Sequence, residues 1–432
     1  MSQRQDTRSH GLWEASAPAA PATQPLSGPI AVDVAIVGGG FTGSSAALHL
    51  AEGGASVAVL EAREIGFGAS GRNVGLVNAG MWVMPSVLAA ELGPVYGPRL
   101  LQLLANGPAA VFELIARHAI ECEAVAKGTL HCAVGKRGIA EVTERARQWQ
   151  ELAAPVELLD AARTRELVGS GVYAASLLDR RAGTVQPLAY VRGLATAAMR
   201  AGASIHTGTR VTAAERAGER WQLATSSGGS VSAKRVIVAT DAYTGRDGPW
   251  PGIQLEQVEL PYFNFATAPL APDLARGILP ERQGAWDTRQ VLSSFRFDAA
   301  GRLVFGSVGA LRGTGRGIHH DWARRALARL YPRLKDVPFE HEWYGTIGMT
   351  PNALPRFHEL AQNVLSFSGF NGRGIAPGTV LGRELARLVL GQSNRDDLPL
   401  PVTPVTVAPW RRAKALGYEV GAQAVHLVGA RI

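Results

Sequence analysis

The sequence of 432 residues contains two cysteines, five lysines and no long apolar run. Cys122 and Cys132 lie too far apart for a C-x-x-C redox or zinc pair, so we expect two buried, reduced thiols. No apolar stretch approaches the roughly 20 residues that span a bilayer. The first residues also lack the continuous apolar segment of a secretory signal. We therefore expect a cytoplasmic protein without a membrane span.

The charge balance is basic, with 44 Lys and Arg against 36 Asp and Glu. A basic excess is one mark of proteins that bind nucleic acids. Here the arginines are spread along the chain, and no basic patch is interleaved with aromatic residues, so we expect no nucleic-acid partner. Attraction of anionic ligands, including a phosphate-bearing cofactor, accounts for the sign of the charge. The length and the 46% hydrophobic content predict a globular protein of two domains, which need not be contiguous.

A strand–turn–helix–strand pattern opens the ordered part of the chain. Residues 31–37 (AVDVAIV) and 56–62 (SVAVLEA) are short apolar runs typical of buried strands. Between them, GGGFTG precedes apolar residues at helical spacing. This order predicts a βαβ unit.

The turn of this unit has the pattern G-x-G-x-x-G at Gly38, Gly40 and Gly43. The first glycine permits a tight turn, the second lets the backbone approach a pyrophosphate, and the third lets the helix pack closely on the strand. Glu61 ends the next strand, where a carboxylate can bind a ribose hydroxyl. The pattern alone is weak, and a glycine turn without a ligand is the alternative. Its position between strand and helix favours a dinucleotide site.

Two further glycine-rich loops favour FAD over NAD. The first, GFGASGRNVG at 66–75, lets the chain pass close to a large flat ligand, and its Ser70 and Arg72 can serve phosphate or ring oxygens. The second, GFNGRG at 369–374, opens a helix whose positive end would stabilise charge at the N1–C2=O edge of a reduced flavin. Each loop alone could be an ordinary turn. Their occurrence together is better explained by one cofactor.

These segments, with VIVATDAYT at 236–244, resemble the D-amino-acid oxidase superfamily of FAD-dependent oxidoreductases. Within that superfamily, the sequence is most similar to the branch of gamma-glutamylputrescine oxidase and glycine/sarcosine oxidase. The resemblance extends from about residue 13 to about residue 391. It implies an α/β fold of mixed α+β character, in which a Rossmann-like FAD-binding domain is interleaved with a mixed-sheet substrate domain.

The resemblance also implies a set of cofactor contacts. Some related enzymes bind FAD covalently through a cysteine in the C-terminal half, but this chain has none after Cys132, so FAD should be non-covalent. The residues implied around the cofactor are Gly38, Gly40, Phe41, Thr42, Gly43, Glu61, Ala62, Arg63, Gly68, Ala69, Ser70, Arg72, Asn73, Val211, Thr240, Gly372, Arg373, Gly374 and Ile375.

The expected domain organisation follows the same pattern. Residues 1–30 should form an extended arm anchored by Trp13. The FAD-binding domain should comprise 31–84, 181–250 and 346–395, with a hairpin turn at 227–229. The substrate domain should comprise a mostly helical 85–180 and a mixed sheet at 251–345. A C-terminal extension, 396–432, has no assigned role.

The resemblance implies oxidation of a C–H bond next to an amine nitrogen, with hydride transfer to flavin N5 and hydrolysis of the imine. Oxygen would be the acceptor, releasing hydrogen peroxide. Some related enzymes have a lysine over the flavin for reaction with oxygen, where this chain has Val304, and no lysine lies between Lys234 and Lys335. A dehydrogenase that reduces a quinone or a protein acceptor is therefore an alternative, and a flavin-binding subunit of a larger complex is another.

The substrate, an amine or amino acid, should contact the aromatic middle segment of the chain. The candidates for its pocket are Tyr262, Trp286, Arg296, Trp343 and Tyr344, although core packing is the commoner role for an aromatic residue. Arg296 or Arg312 could bind a substrate carboxylate. Our default expectation for each arginine is that it is exposed on the surface. The pair His319–His320 has no acidic or cysteine partner at ligand spacing, so we expect a solvated helix start there and no metal site.

Overall fold

The structure, a computed structural model, describes residues 10–430. It has a mixed α/β architecture built on two eight-stranded sheets and a small two-stranded one. The strands are β1 (Pro29–Val37), β2 (Val57–Leu60), β3 (Leu76–Val77), β4 (Thr129–Cys132), β5 (Val156–Leu159), β6 (Ser176–Asp179), β7 (Gly183–Thr184), β8 (Ser204–His206), β9 (Val211–Ala217), β10 (Arg220–Thr225), β11 (Ser230–Val238), β12 (Val258–Thr267), β13 (Gly284–Asp287), β14 (Ser293–Phe297), β15 (Leu303–Val308), β16 (Phe339–Met349), β17 (Arg356–Ala361) and β18 (Val364–Ser368).

The α-helices connect and cover these sheets. They are α1 (Leu12–Ser16), α2 (Phe41–Glu52), α3 (Pro85–Ala105), α4 (Gly107–Arg117), α5 (Gly135–Glu151), α6 (Ala161–Val168), α7 (Pro187–Arg200), α8 (Gly252–Leu255), α9 (Pro272–Ala275), α10 (Thr314–Leu330), α11 (Ile375–Val389) and α12 (Arg411–Val428). α3 is kinked at Gly93, which has a φ of 71°. Within residues 10–430, no helix combines the length and the apolar character that crossing a membrane requires.

The first sheet has the order β17-β18-β11-β1-β2-β8, and the strands from β18 to β8 run parallel. The second half of β1 and all of β2 are buried, and the β9–β10 hairpin, which extends the sheet from β11, shares an apolar cluster with both strands. α2 packs against both α7 and α11. The predicted βαβ unit is confirmed, with β1 starting two residues earlier than expected, and the turn at 227–229 joins β10 to β11.

The second sheet has the order β16-β12-β15-β14-β13-β4-β6-β5. Neighbouring strands are antiparallel except β13 and β4, which are parallel. The segment 85–180 therefore contributes three strands that its helical pattern did not predict, β4, β5 and β6. They are short, and they join the second sheet through β4, which pairs with β13 more than a hundred residues later, whereas β5 and β6 pair within this segment.

This strand pairing supports the proposed domain division. Segments 31–84, 181–250 and 346–395 contribute to the first sheet, whereas 85–180 and 251–345 contribute to the second. β16 continues across residues 345 and 346, so we propose that the second domain ends after Met349.

The two ends of the chain pack on this body. In the N-terminal arm, whose residues 1–9 lie outside the described part, α1 carries a fully buried Trp13. In the C-terminal extension, α12 packs on β12 and α10.

Candidate active site

Four parallel strands of the first sheet end side by side. β18, β11, β1 and β2 are neighbours with the same direction, so their carboxyl ends share one edge. Gly38 follows β1, Glu61 follows β2, Thr240 lies two residues after β11, and Gly369 follows β18. In open α/β sheets, this edge is where ligands bind, at the point where the strand order changes. The fold therefore brings the three glycine-rich segments together.

The first glycine turn has no room for side chains. Gly38 has a φ of 108°, and a Cβ on it would lie 2.8 Å from the carbonyl oxygen of Ala239. A Cβ on Gly43 would overlap the carbonyl oxygen of Gly38. Gly40 precedes α2 and has no side chain to cap this helix, so that among its first N–H groups the one of Phe41 is bound by the Ser70 Oγ. The next N–H groups at the positive end of α2, those of Thr42 and Gly43, are left for an anionic group such as a pyrophosphate.

Glu61 joins the turn to the loop after β2. Its Oε2 accepts a 2.7 Å hydrogen bond from the Gly39 N–H, and its Oε1 accepts one of 2.8 Å from the Arg63 N–H. Burial raises the pKa of this carboxyl, and the two N–H groups oppose that shift. Each oxygen of an ionised carboxylate has a second lone pair, so Glu61 can still accept from a ribose hydroxyl. Ala62 and Arg63 are exposed beside it.

The GASGRN loop is held against the start of α2. The Ser70 Oγ accepts a 3.0 Å hydrogen bond from the Phe41 N–H. The Arg72 guanidinium lies 4.9 Å from the Phe67 ring centre and donates to the carbonyls of Phe67 and Tyr344. Thus Ser70 and Arg72 fix the loop itself, in addition to any contact with a cofactor.

Three other implied residues lie in the same loop or behind it. The Asn73 side chain donates to the carbonyls of Ala69 and Ser70. A Cβ on Gly68 would lie 3.0 Å from the Tyr243 ring, so a side chain there would displace the tyrosine. Val211 begins β9 and is buried in the same apolar cluster as Leu60, the residue before Glu61.

The third glycine segment opens onto free space. Gly372 has a φ of 83°, and Gly374 precedes α11, which no side chain in the described chain caps. A Cβ on Gly374 would meet no atom within 4 Å. Ile375 is the first residue of α11 and is buried. The α11 N terminus is therefore accessible to a ligand at the edge where the other two segments lie.

Asp241, which the sequence did not single out, ties the β11 end to this third segment. Its Oδ1 accepts hydrogen bonds from the Gly369 N–H at 2.7 Å and from the Gln257 side chain at 2.8 Å. Thr240, the implied cofactor residue beside it, shares a 2.7 Å hydrogen bond with Thr244. The sequence signal for Asp241 is its position three residues after β11, at the ligand edge.

The residues at this edge fit FAD. α2 and α11 each follow a glycine that has no capping side chain, so their N termini are available to a dinucleotide and to a ring system. Close packing of α11 on α2 keeps these ends together, since a Cβ on Gly378 would lie 3.2 Å from Phe41 and one on Gly382 would lie 2.5 Å from the Thr42 carbonyl oxygen.

Beside the third segment lies a buried cluster of aromatic rings and arginines. The Trp286 ring stacks on His131 with ring centres 3.5 Å apart, and Trp82 meets it edge-on at 5.1 Å. The Arg373 guanidinium lies 4.8 Å from the Trp82 ring centre and 5.1 Å from that of Trp286. Arg145, from α5, donates to the Trp82 carbonyl at 2.7 Å. The cluster joins the proposed flavin loop to the second sheet.

The polar groups of this cluster are incompletely paired. Arg373 donates to the Ala79 carbonyl at 2.9 Å, but within residues 10–430 its Nε, both ring nitrogens of His131 and the Trp286 Nε1 have no hydrogen-bond partner. Burial and the charge of Arg145 lower the pKa of Arg373 to about 9. Burial, then the two arginines, lower the pKa of His131 well below its ordinary value. A buried cation without a carboxylate partner is costly, which points to a function.

Comparison with known proteins identifies the family. Residues 33–388 match the family model described as FAD dependent oxidoreductase, DAO. The chain belongs to this family. It is 33% identical to gamma-glutamylputrescine oxidoreductase of Escherichia coli (strain K12), over 85% of this chain and 86% of that protein. It is 31% identical to the probable oxidoreductase OrdL of Rhizobium meliloti (strain 1021), over 90% of each. The prediction of an FAD-dependent oxidoreductase is confirmed.

Solved structures show the same fold. The crystal structure of glycine oxidase from Geobacillus kaustophilus has a TM-score of 0.70 at 22% identity and covers 88% of this chain and 99% of that one. L-amino acid deaminase from Proteus myxofaciens has a TM-score of 0.70 at 16% identity, covering 94% of this chain and 95% of that one. The expected DAO-type α/β fold is thus confirmed, and FAD is the cofactor of this oxidoreductase.

The remaining aromatic candidates of this FAD-dependent oxidoreductase are dispersed. Tyr262 on β12 shares a 2.6 Å hydrogen bond with the Ser294 hydroxyl. Trp343 is fully buried against Trp13 and donates to the Arg72 carbonyl at 3.0 Å. Tyr344, next to it on β16, packs against the apolar cluster of the second sheet. Of the five pocket candidates, only Trp286 lies in the cluster with Arg373.

The two arginines considered as substrate clamps have internal partners. Arg296 is 1% exposed, so the default expectation of surface exposure is wrong for it. Its guanidinium donates to the carbonyls of Phe297 and Val185 and to Glu123. Arg312 is exposed, as expected, and forms an ion pair with Glu419 of α12.

The prediction of a solvated helix start at His319–His320 is wrong for His319. That residue lies inside α10, is fully buried, and its Nδ1 lies 2.8 Å from the Nδ1 of His426 in α12. The helix α12, which the sequence did not predict, covers His319 together with Phe263 of β12. Cys122 and Cys132 are buried and free, as predicted, and Val304 is fully buried on β15.

Proposed function

We propose that this enzyme oxidises the C–N bond of an amine or amino acid whose substrate molecule also carries an anionic group. The named relatives act on gamma-glutamylputrescine and glycine, by their titles, and both names describe amines with a carboxylate. The observation that carries the proposal is the buried Arg373 in the Gly372–Ile375 loop, whose Nε has no hydrogen-bond partner and whose charge has no carboxylate partner within residues 10–430. Its guanidinium has donors left for a carboxylate oxygen.

The cofactor is proposed to be held by backbone at the ligand edge. The Gly38–Gly43 turn would bind the pyrophosphate, Glu61 the ribose, and the Gly372–Ile375 loop the flavin ring. When bound, FAD supplies the hydride acceptor for the oxidation. Both cysteines are buried and precede residue 133, which supports non-covalent binding and a reducing, cytoplasmic location.

The aromatic cluster is proposed to line the substrate pocket. The rings of Trp82 and Trp286 exclude water from the group that they contact. A protonated amine bound beside Arg373 and Arg145 would lie near two cations, which lowers its pKa and favours the neutral form. Oxidation needs that form, because the nitrogen lone pair assists departure of the hydride. Hydrolysis of the imine product then gives a carbonyl compound and an amine.

The proposal also concerns the acceptor that takes the electrons from the reduced enzyme. Oxygen with release of hydrogen peroxide is our first candidate. The second is a quinone or protein acceptor, which is favoured by the apolar, buried Val304 on β15 and by the lack of any lysine between Lys234 and Lys335.

Anaerobic mixing of the purified FAD-loaded protein with matched amines tests the proposal. Pairs that differ only in one carboxylate should show faster bleaching of flavin absorbance by the carboxylate-bearing member. Admission of air then separates the two acceptors, since an oxidase regains its colour and consumes oxygen. If no amine bleaches the flavin, or if the carboxylate has no effect on the rate, the proposal is contradicted.

A further inference from the structure

The outward face of α12 is apolar along its whole length. The 3.6-residue period places seven exposed residues opposite the side that packs on the protein: Ala413, Leu416, Gly417, Val420, Ala424, Leu427 and Val428. Leu416 is 63% exposed, Val420 55% and Val428 73%. None of the seven carries a charge. An exposed helix normally presents polar residues to solvent, so this face is typical of a helix that another element covers.

The inner face shows that α12 is docked in its proper orientation. Ala422 and His426 are buried, and His426 stacks on Trp322 with ring centres 3.8 Å apart. The one acidic residue of the helix, Glu419, turns inward and pairs with Arg312. Rotation of the helix would break these contacts, so it could not hide the apolar face.

Small residues surround Val420 at the middle of the outward face, with Gly417 and Ala424 on the face and Gly421 at its edge. A Cβ on Gly417 or on Gly421 would meet no atom within 4 Å, so neither glycine serves packing inside this chain. Larger residues, Leu416 and Leu427 on one side and Val428 on the other, flank this centre. Small residues flanked by large ones let the backbone of a second helix approach closely, whereas a lipid surface is better matched by large apolar side chains at the centre.

We propose that this face of α12 packs against the same face of a second copy of the chain, with the two helices antiparallel. A two-fold axis between Val420 and Gly421 places Gly417 opposite Ala424 of the second copy, and Ala413 opposite Val428. Such a contact is isologous, because each pair occurs twice. The two copies of the Gly417–Ala424 pair lie on the two sides of the axis, where the helices come closest.

The charges of α12 favour this orientation. Arg412 and Lys414 are exposed in its first turn. In the antiparallel pair, they lie beside the last turn of the second helix, at the negative end of its dipole. In a parallel pair, the same cations would lie beside their own copies and repel each other. A stable dimer buries about 800 Å² per partner, and one helix face supplies less, so the interface extends beyond α12. The exposed Val402 and Val407, which precede α12, are available to extend it.

Sedimentation of the FAD-loaded protein tests the proposal. The parent protein should have twice the mass of one chain, and V420E should have the mass of one chain with unchanged flavin absorbance. The matched control is V87E, a change at a 43% exposed valine of α3, and it should leave the mass doubled. A parent protein with the mass of one chain, or a V420E protein that keeps the doubled mass, would overturn the proposal.

Cross-linking through new cysteines tests the orientation. V420C lies near the axis and should form a disulfide between chains on oxidation. A413C should not, because the two copies of residue 413 are separated by about 20 Å in an antiparallel pair. The double variant A413C/V428C should cross-link. Efficient cross-linking by A413C alone would show a parallel pair, and flotation of a single-chain parent with phosphatidylglycerol vesicles would show a lipid surface; either contradicts the proposal.

Discussion

The indole N–H of Trp13 donates a hydrogen bond of 2.8 Å to the backbone carbonyl of Asn73. Trp13 is also packed edge-on against Trp343, with ring centres 5.3 Å apart. Asn73 in turn closes the GASGRN loop through its own side chain, and Ser70 of that loop holds the start of α2. The N-terminal arm therefore supports the proposed cofactor loop from behind.

Replacement of this anchor should loosen the loop. W13A removes a fully buried indole, which costs about 3–5 kcal/mol in unfolding free energy. It should also weaken FAD binding, because the carbonyl of Asn73 loses its donor. Urea unfolding and fluorescence titration with FAD measure the two effects. The control W410A removes an 80% exposed indole and should leave FAD affinity unchanged; equal FAD affinity in W13A and the parent would refute the coupling.

The glycine turn can be tested with a single methyl group. A Cβ on Gly43 would overlap the Gly38 carbonyl oxygen, so G43A should distort the turn and abolish FAD binding. The matched control is G317A, also in a helix, where a Cβ meets no atom within 4 Å. That change should stabilise the protein by about 0.5–1 kcal/mol and leave the flavin in place. The measurement is the ratio of flavin to protein absorbance after purification, and a normal ratio in G43A is the contrary result.

Arg373 should matter for substrates that carry an anionic group. R373M removes a charged hydrogen bond, worth about 1.5–3 kcal/mol, so kcat/KM for a carboxylate-bearing amine should fall by roughly 10- to 100-fold. Matched amines without a carboxylate should be affected much less. Steady-state kinetics with both members of a pair measure this difference.

Thermal melting provides the control for Arg373. Because its buried charge has no carboxylate partner within the described chain, R373M should melt at or above the temperature of the parent protein. R296M should melt lower, since Arg296 is bonded to two carbonyls and Glu123. If R373M lowers kcat/KM equally for amines with and without a carboxylate, and also lowers the melting temperature, Arg373 has a structural role instead.

The buried histidine pair makes stability depend on pH. Burial lowers the pKa of His319 to about 4 and that of His426 to about 3, where the charges of His319 and Arg325 add to the effect. In the unfolded chain both take up protons near pH 6.5, whereas in the folded chain they stay neutral down to about pH 4. The unfolded state binds more protons in this window, so the unfolding free energy falls as the pH falls through it.

H426F should reduce this pH dependence. The ring keeps its place against Trp322, but one of the two titrating groups is removed. Unfolding in urea at about pH 7 and about pH 5 should therefore show a smaller loss of unfolding free energy in the variant than in the parent. An identical loss in the two proteins would show that other groups determine the acid sensitivity.

Local patterns predicted the βαβ unit, the glycine turn and the helix after GFNGRG, because each depends on residues close together in the sequence. The strand β4 and the cluster of Trp82, His131 and Arg145 with Arg373 depend on residues that lie far apart in the sequence. His131 and Trp286 are brought together by the parallel pairing of β4 and β13, which no local pattern encodes. The burial of His319 likewise depends on α12, more than a hundred residues later.

The central claim is that the glycine segments at one sheet edge bind FAD. The direct measurement is the visible spectrum of freshly purified protein, followed by titration with FAD after the cofactor has been removed. We expect a yellow protein that rebinds one FAD per chain without a covalent bond. A folded protein that is colourless and takes up no FAD would contradict the account.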